Sequence, residues 1–558
     1  MAAGQLLAVL LLLWAGRVFG QVTVAIPGDP VRIDSGLVSG TLNDGLKNYF
    51  GIPFAAAPVR ENRWRAPQPV RPWKGVLTAN RKQAECVQGL RSPNINHYFG
   101  DELAGEDCLY LNLWAPGTSK RGDKLPVLVW IYGGAFTGGS GAMPIYGGQT
   151  LAKRGVIYLT INYRLGIMGF LAHPELTAES GRHASGNWGF LDQVAALAWV
   201  QRNIAAFGGD PDNVTLLGQS AGSMSITNLQ ASPLTRGLFR RVIGMSGTTL
   251  AGGAGAAAPL AEAEAQGIKL EAALKVKSVA DLRNISSDKI EAAARAAGVR
   301  AGPDIDGYFL PEDVDAIFKA GRQNDVAVIT GSTANDIGTN PPIRRARTVA
   351  EYEAAARQMF GGGAEEFLKL FPVASDADVP REAGEVGRNM GFTIGARSWA
   401  RAQTATGKQP AYLFMFSHVQ PFAPGVAFGD FNPATAGAYH MSDVPYWLGT
   451  YDTFNTFRTT RNWAAWDKEL SSDMQEVVVK FAKTGNPVTA AVKFARYNPD
   501  DERRVDFGDT ITVEKLNTAQ MDFLAAHPVA QTPPGGGRGA GNGGGQNAPA
   551  NLPPSPSY

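Results

Sequence analysis

The segment GQSAG at residues 218–222 has the spacing of a reactive serine. It directly follows a short apolar run, VTLL (214–217), which predicts a strand, and it precedes a predicted helix. Small residues around Ser220 permit a sharp turn that exposes the hydroxyl beside the partial positive charge of a helix N-terminus. The pattern therefore predicts Ser220 as a nucleophile, with a glycine-rich structural turn as the alternative.

A second glycine-rich segment, YGGAF (132–136), follows the apolar run VLVWIY (127–132). A serine nucleophile needs N–H donors aimed at the oxyanion that forms in the transition state. A loop of this kind supplies backbone N–H groups, which join that of the residue after the nucleophile. We therefore expect Gly134, Ala135 and Ala221 to form an oxyanion hole, although such a turn can also be purely structural.

A nucleophilic serine also needs a base. The six histidines of the chain are His97, His173, His183, His418, His440 and His527. In proteins with this serine turn the chain order is serine, acid, histidine, which excludes the three histidines that precede Ser220. Of the others, His527 lies beside a glycine- and proline-rich tail. The order alone does not decide between His418 and His440.

The acid of such a triad lies between the serine and the histidine in the chain. Asp336 follows VAVIT (326–330), a predicted strand, at the carboxyl end where catalytic groups of α/β proteins collect. Aspartate is also common in turns and at helix starts, so most other candidates have simpler explanations. These alternatives are Asp304, Asp306, Asp313, Asp315 and Asp325.

Near-continuous apolar runs predict strands that are buried on both faces. They lie at 127–132, 156–162, 214–217, 242–245, 326–330 and 411–416. Helical patterns separate several of them, notably an amphipathic stripe over 187–207 that ends before two glycines. This alternation predicts a parallel α/β sheet. The Ala- and Glu-rich stretches 259–297 and 349–370 predict further helices, which could cap the active edge of the sheet.

Composition excludes several classes of protein. With 558 residues, 44% hydrophobic and 18% charged, the chain is neither disordered throughout, nor collagen-like, nor a polytopic membrane protein. The 52 Lys and Arg residues against 50 Asp and Glu give a net charge of +2. Because binding to nucleic acid needs a basic excess, no nucleic-acid partner is expected.

The two ends of the chain predict export and disorder. Residues 1–20 resemble a secretory signal, since the apolar run stops at Arg17, too short to span a membrane, and small residues precede Gln21. An uncleaved anchor is the alternative. We expect a periplasmic or secreted protein without stable membrane insertion.

The C-terminal residues 533–558 are rich in Gly and Pro and predict a disordered tail. Residues 21–532 are then expected to form one domain.

Export has a consequence for the two cysteines, Cys86 and Cys108. In an oxidising compartment an even number of cysteines is expected to pair. We therefore predict one disulfide, with two buried free thiols as the alternative.

Longer segments resemble the type-B carboxylesterase family, an α/β-hydrolase group that includes bacterial carboxylesterases, p-nitrobenzyl esterases, cholinesterases and the non-catalytic neuroligins. The segments are YFGIPFAAAPVRENRWRAPQPV (49–70), EDCLYLNLW (106–114), WIYGGAFTGGSG (130–141), NYRLGIMGFL (162–171), GNWGFLDQVAALAWVQRNIAAFGGDPDNVTLLGQSAGS (186–223), IDGYFLPEDVDAIFKAG (305–321), GSTANDIG (331–338) and GAYHMSDVPYWLG (437–449). The likeness implies an α/β-hydrolase fold, with a mostly parallel sheet flanked by helices and cap-like helical insertions. It also implies a carboxylic ester hydrolase.

The resemblance implies Ser220 as nucleophile, Asp336 as acid and His440 as base, and so favours His440 over His418. Cys86 and Cys108 correspond to the family's first disulfide.

Two further residues, Ser246 in MSGT and Asp443, fall where the family often places a second hydrogen-bonded pair near the triad.

Three departures from the family pattern matter. Asp336 stands where Glu is usual and is one methylene shorter, so its loop must approach the histidine more closely. Phe50 stands where Arg or Lys is common, which leaves Glu106 without that expected partner. The loop has GGA where many members have GGG. In the family, loops of the GG(G/A)X type, which includes both, are associated with bulky, even tertiary, alcohol groups.

The sequence thus predicts a serine carboxylesterase that acts through an acyl-enzyme on a small ester and needs no cofactor. A neuroligin-like binding protein, or an amide or thioester hydrolase with the same triad, is the alternative. Phe136, Met441 and Trp447 either line the site or pack in the core. Neither the substrate nor the oligomeric state follows from the sequence.

Overall fold

A computed structural model describes Ile26 and residues 28–89, 100, 102–252, 255–338 and 340–528. The predicted signal segment (1–20), the predicted tail (533–558) and His97 lie outside the described residues. In chain order the strands are β1 (Val31–Ile33), β2 (Gly36–Ser39), β3 (Thr41–Asn43), β4 (Leu46–Pro53), β5 (Val76–Thr78), β6 (Glu85–Cys86), β7 (Ala104–Gly105), β8 (Tyr110–Pro116), β9 (Leu125–Ile131), β10 (Ile157–Ile161), β11 (Gly209–Gln219), β12 (Arg241–Met245), β13 (Ala258–Pro259), β14 (Asp304–Ile305), β15 (Ala327–Thr333), β16 (Ala411–Phe416), β17 (Arg503–Phe507) and β18 (Ile511–Lys515).

The main sheet has eleven strands in the order β18-β17-β16-β15-β12-β11-β9-β10-β8-β4-β3. The seven strands from β17 to β10 pair in parallel, and antiparallel strands flank them on both sides. Strands β10, β15 and β16 are buried at every position, which explains why they appear in the sequence as continuous apolar runs. All six predicted strands are present, so the expected parallel α/β sheet is confirmed.

Helices lie between the strands and in two longer insertions. They are α1 (Gln149–Ala152), α2 (Gly166–Phe170), α3 (Pro174–Glu179), α4 (Trp188–Asn203), α5 (Ala221–Ala231), α6 (Leu260–Leu274), α7 (Val279–Arg283), α8 (Ser287–Ala297), α9 (Val314–Lys319), α10 (Val349–Phe360), α11 (Ala364–Leu370), α12 (Val379–Asn389), α13 (Phe392–Thr406), α14 (Pro433–Ala436), α15 (Val444–Leu448), α16 (Ala465–Thr484) and α17 (Thr518–Ala526). The amphipathic stripe over 187–207 is α4 followed by one 3-10 turn, which Gly208 ends in the left-handed conformation.

The two Ala- and Glu-rich stretches form helices, as predicted, and each contributes to a hydrophobic cluster of its own. In the first, Leu270, Val279 and Ile290 pack with Trp64 and Trp188. In the second, α10 and α11 share a cluster with α12 and with the C-terminal helix α17. The remaining buried side chains form one large core around the sheet.

Two further sequence expectations have clear outcomes. Cys86 and Cys108 form a disulfide with their Cα atoms 5.0 Å apart, as predicted. Glu106 is not left unpaired by Phe50, because Arg63 forms a two-pronged ion pair with it at 2.6 and 2.7 Å. Among the described residues, no helix has both the length and the apolar character needed to cross a membrane.

Candidate active site

Ser220 lies at the turn between β11 and α5, where the fold requires an abrupt change of direction. Its backbone has φ 58° and ψ −127°, a conformation that non-glycine residues rarely adopt. The N–H of Ser220 donates to the Met245 carbonyl at 2.8 Å, which holds the turn against β12. A Cβ on Gly222 would lie 2.0 Å from the Ile131 carbonyl oxygen, so the motif's glycine is needed for close packing.

Asp336 and His440 are in direct contact. The Nδ1 atom of His440 lies 2.6 Å from Oδ1 of Asp336, although the two residues are 104 positions apart. The backbone N–H groups of Ile337 and Thr333 donate to the same carboxylate at 2.7 and 3.2 Å and so fix its orientation. With the Nδ1 proton donated to Asp336, the Nε2 nitrogen of His440 carries the lone pair that a base needs.

The Nε2 nitrogen of His440 faces a residue that the sequence did not single out. The Nε2 amide nitrogen of Gln219 lies 3.1 Å from it. Among the described residues, Ser220 Oγ makes no hydrogen bond to the His440 ring. Gln219 directly precedes Ser220, and its side-chain amide is the hydrogen-bond partner of the His440 Nε2 nitrogen. The variable second position of the G-x-S-x-G motif was the signal that could have pointed to Gln219.

The other face of the site is formed by an aromatic residue. Phe392, the first residue of α13, stacks on His440 with ring centroids 5.6 Å apart and planes inclined by 23°. Such a contact limits the rotation of the imidazole. No motif pointed to Phe392, because it lies 48 positions from the histidine in a segment without sequence pattern.

The loop with the predicted oxyanion donors lies directly against the serine. A Cβ on Gly133 would lie 2.9 Å from the Ser220 Cβ and 2.5 Å from the Gln219 carbonyl oxygen. Gly134 and Ala135 follow with φ of 117° and 54°. Within the described part of the chain, neither of their N–H groups has a hydrogen-bond acceptor. Ala221 begins α5, so its N–H has no acceptor within the helix and is free to bind an anion.

Strained backbone is concentrated in this region. Five non-glycine residues of the loop, the turn and the histidine segment have φ between 51° and 81°: Ala135, Phe136, Ser220, Ser246 and Met441. Each such conformation costs about 1–3 kcal/mol and persists only where the surrounding structure enforces it. Strain of this kind is typical of functional sites, and here it is shared by segments that are distant in the chain.

Ser246 and Asp443 are both completely buried. The Asp443 Oδ2 atom accepts a hydrogen bond from Trp447 Nε1 at 3.2 Å. Neither Asp443 Oδ1 nor Ser246 Oγ has a hydrogen-bond partner among the described residues, so the expected hydrogen bond between these two side chains is not formed in this structure. Burial, reinforced by the nearby charge of Asp336, raises the pKa of Asp443 to about 7.

His418, the alternative base, makes other contacts. His418 lies between two carboxylates, with Nε2 3.0 Å from Asp467 and Nδ1 2.8 Å from Asp509. Burial alone would lower the pKa of His418, but these two hydrogen bonds raise it. Both ring nitrogens of His418 are therefore engaged in an ion-pair cluster, away from Ser220.

The alternative acids also have structural partners. Asp306 accepts three backbone N–H bonds, Asp313 caps α9, Asp315 binds the N–H of Ala251, and Asp325 binds the backbone of Lys408 and Gln409. Asp304 is buried in the strand β14 with both carboxylate oxygens unpartnered among the described residues. None of these contacts includes a histidine.

Of the three residues proposed as lining or core, two are core residues. Trp447 is fully buried and packs between Phe414 and Phe507. Phe136 is 5% exposed and packs against Phe170 and other aromatic rings. Met441 is half-buried, directly after His440. In the described part of the chain, no group of three or more His, Cys, Asp or Glu side chains is arranged to hold a metal ion.

Known proteins share this architecture over almost its whole length. The carboxylesterase family profile matches residues 28–524. A fumonisin B1 esterase of Sphingopyxis macrogoltabida is 38% identical over 467 residues, which cover 81% of each chain. The para-nitrobenzyl esterase of Bacillus subtilis is 32% identical over 497 residues, or 87% of this chain and 96% of the relative.

A solved structure of a PNB esterase superimposes with a TM-score of 0.72 at 30% sequence identity, covering 88% of this chain and 98% of that one. Sequence and fold thus agree over most of the chain. With this extent of match, the chain belongs to the carboxylesterase family, has the α/β-hydrolase fold and is a carboxylic ester hydrolase.

Proposed function

We propose that this protein is an exported serine carboxylesterase whose triad is Ser220, His440 and Asp336. In the first step Ser220 Oγ attacks the ester carbonyl carbon while His440 Nε2 accepts the hydroxyl proton. The oxyanion is held by the N–H groups of Gly134, Ala135 and Ala221.

When the tetrahedral intermediate collapses, the carbon–oxygen bond to the alcohol breaks, and His440 gives its proton to the leaving oxygen. In the second step His440 takes a proton from water, which attacks the acyl-enzyme, and Ser220 regains its hydrogen as the acid departs. Asp336 holds the Nδ1–H tautomer throughout and stabilises the imidazolium.

The observation that carries this proposal is the 2.6 Å contact between His440 and Asp336 at the edge where the strained turn presents Ser220. The carboxyl ends of β11 and β15 bring the serine and the aspartate to the same edge of the sheet. For proton transfer, His440 Nε2 must exchange the Gln219 amide for the serine hydroxyl, a local change of partner.

The test is Ser220→Ala, with Ser472→Ala, a surface serine of α16, as the matched control. We expect Ser220→Ala to lower kcat by about 10⁶ and to abolish labelling by a fluorophosphonate probe, whereas the control keeps both. Near wild-type turnover in Ser220→Ala would overturn the assignment. A wild-type protein that neither labels nor hydrolyses any ester would instead favour a binding role.

The export proposal is supported by the apolar segment at 1–20 and by the Cys86–Cys108 disulfide, which is stable in oxidising compartments. N-terminal sequencing of the protein from its native cell envelope or medium should begin at Gln21. Recovery from the cytoplasm of a chain that still starts at Met1 would contradict export.

The substrate is proposed at the level of chemical class, a carboxylic ester that tolerates a bulky alcohol group. The GGA segment at 133–135 supports this, because it is a loop of the GG(G/A)X type that the family resemblance associates with bulky alcohol groups. An ester panel is the direct test, with tert-butyl acetate compared against a primary acetate, together with fumonisin B1 and a para-nitrobenzyl ester, the substrates in the relatives' names. Hydrolysis of the primary ester alone would remove the bulky-alcohol proposal. Parallel amide and thioester analogues separate ester preference from the alternative reactions.

A further inference from the structure

A cavity lies at the amino ends of the central strands, opposite the carboxyl ends where Ser220 is found. It has a volume of about 580 Å³, within the range of small-molecule sites, and is lined where β11, β12, β15 and β16 begin. We call it the arginine cleft, after Arg240, Arg241 and Arg496, which line it. The candidate active site lies at the other ends of the same strands. From Arg241 to Ser246 is five residues, or about 17 Å of extended chain.

Among the described residues, none of the three guanidinium groups forms an ion pair with a carboxylate. Arg241 donates to the amide oxygen of Asn213 at 2.5 Å and lies beside Gly485, at the C-terminal end of α16. Burial, and secondarily the charge of Arg240, lowers the pKa of Arg241, because two positive charges lie close together here.

The cleft also contains two acidic residues, and they do not neutralise the arginines. The Asp325 carboxylate accepts N–H bonds from Gln403, Lys408 and Gln409 at 2.8 to 3.0 Å. Asp212 is exposed and forms no ion pair with the cleft arginines among the described residues. Three positive charges thus face two negative ones, one of which is already saturated with donors.

The remaining lining suits a ligand with several polar oxygens. It includes three residues with side-chain amides, Asn213, Gln409 and Asn486, and two nearly buried aromatic residues, Tyr412 and Phe494. Guanidinium groups match carboxylate and phosphate oxygens in pairs of parallel hydrogen bonds.

We propose that the arginine cleft is a binding site for an oligoanionic small molecule that carries two or more carboxylate or phosphate groups. This site is independent of the ester chemistry, since it lies at the far ends of the strands. The ligand would complete the charge balance that the fold leaves open around Arg240, Arg241 and Arg496.

Isothermal titration of the whole chain with sodium pyrophosphate and with sodium citrate, at constant ionic strength, tests the proposal. We expect a one-to-one site with a submillimolar Kd for at least one of the two anions. Binding of only pyrophosphate identifies a phosphate site, and binding of only citrate a carboxylate site. Absence of saturable binding for both overturns the proposal.

The double variant R240Q/R496Q removes two exposed guanidinium groups and leaves the half-buried Arg241 in place. We expect its affinity to fall at least tenfold while its melting temperature without ligand stays near the wild-type value. The matched control R344Q/R357Q removes the same charge from the 3-10 turn Pro342–Arg345 and from α10. Equal weakening in the control, or unchanged binding in R240Q/R496Q, would show that binding is non-specific and overturn the site.

Labelling of Ser220 by a fluorophosphonate probe should be the same in the wild type and both variants. This readout separates the two proposals, since the loss of anion binding leaves the serine reactive.

Discussion

The Gln219 side-chain amide and the His440 imidazole are hydrogen-bonded across the candidate active site, 3.1 Å apart at the ring's Nε2 nitrogen. This nitrogen is the one that must accept the Ser220 proton. In the absence of substrate, Gln219 is therefore the hydrogen-bond partner of the base. Its lack of charge matters, because a carboxylate in its place would stabilise the imidazolium form of His440.

The first prediction concerns this neutral amide. Gln219→Glu places a carboxylate beside His440 Nε2, which favours the imidazolium and should move the acidic limb of the kcat/KM profile upward by at least about one pH unit. Gln219→Met, which removes the hydrogen bond without adding charge, is the control and should leave the limb at or below its wild-type position. Identical pH profiles for the Glu and Met variants would refute the role assigned to Gln219.

The second prediction concerns the acid. Asp336→Asn keeps the size of the side chain but no longer stabilises the Nδ1–H tautomer, so we expect kcat to fall by about 10³–10⁴. Asp336→Glu adds a methylene where the contact is already 2.6 Å, so some loss of kcat is expected. Because this variant keeps the charge, its loss should be smaller than that of Asp336→Asn. Pre-steady-state acylation rates measure both. Equal losses in the two variants would mean that charge plays no part.

The third prediction concerns the contact between the loop and the nucleophile. Gly133→Ala places a methyl group 2.5 Å from the Gln219 carbonyl oxygen and must push the loop away. Because the loss of one oxyanion donor costs about 10²–10³ in rate, a fall of at least that size in kcat is expected. Gly384→Ala in α12, where nothing lies within 4 Å of the added Cβ, should leave kcat unchanged.

The fourth prediction follows from Asp443, whose pKa of about 7 lies in the range of activity assays. Above this pH the buried carboxylate is ionised and stabilises the nearby imidazolium, whereas below it the group is neutral. The ratio of wild-type to Asp443→Asn kcat/KM should therefore rise as the pH increases through 7. A ratio that does not vary between pH 6 and pH 8.5 would exclude this electrostatic role.

The fifth prediction is about stability. Burial, and then the charges of Asp306 and Glu264, raises the pKa of Asp304 well above its usual value. The folded protein thus holds a proton that the unfolded chain loses above about pH 4, so this residue lowers stability increasingly as the pH rises. Asp304→Asn should raise the melting temperature at pH 8 and have a smaller effect at pH 5. The exposed Asp500→Asn control should show no such trend.

Much of this architecture was predictable because it depends on local patterns. The six apolar runs became strands because burial on both faces demands continuous apolar residues, and the small residues around Ser220 permit a turn that few sequences tolerate. The resemblance then distinguished His440 from His418, which order alone could not do. The structure adds the reason: His418 is held between Asp467 and Asp509.

Contacts between distant segments were not predictable. Arg63 replaces the partner that Phe50 cannot provide for Glu106, and nothing in either local sequence announces that pairing. Phe392 meets His440, and Gln219 meets the same ring, because tertiary packing brings them together. The arginine cleft likewise depends on four strands beginning at the same edge, so its charges are scattered in the sequence.

The left-handed backbone at Ala135, Phe136, Ser220, Ser246 and Met441 has an implication for engineering. Selection for heat resistance acts on the stability of the whole molecule. Substitutions that relieve the backbone strain at these residues would be the easiest way to increase that stability. Such gains should be accompanied by slower turnover, because the relaxed segments would no longer hold the reacting groups in place. Thermostable variants that keep their speed should therefore carry their substitutions in the two helical insertions or on the outer strands.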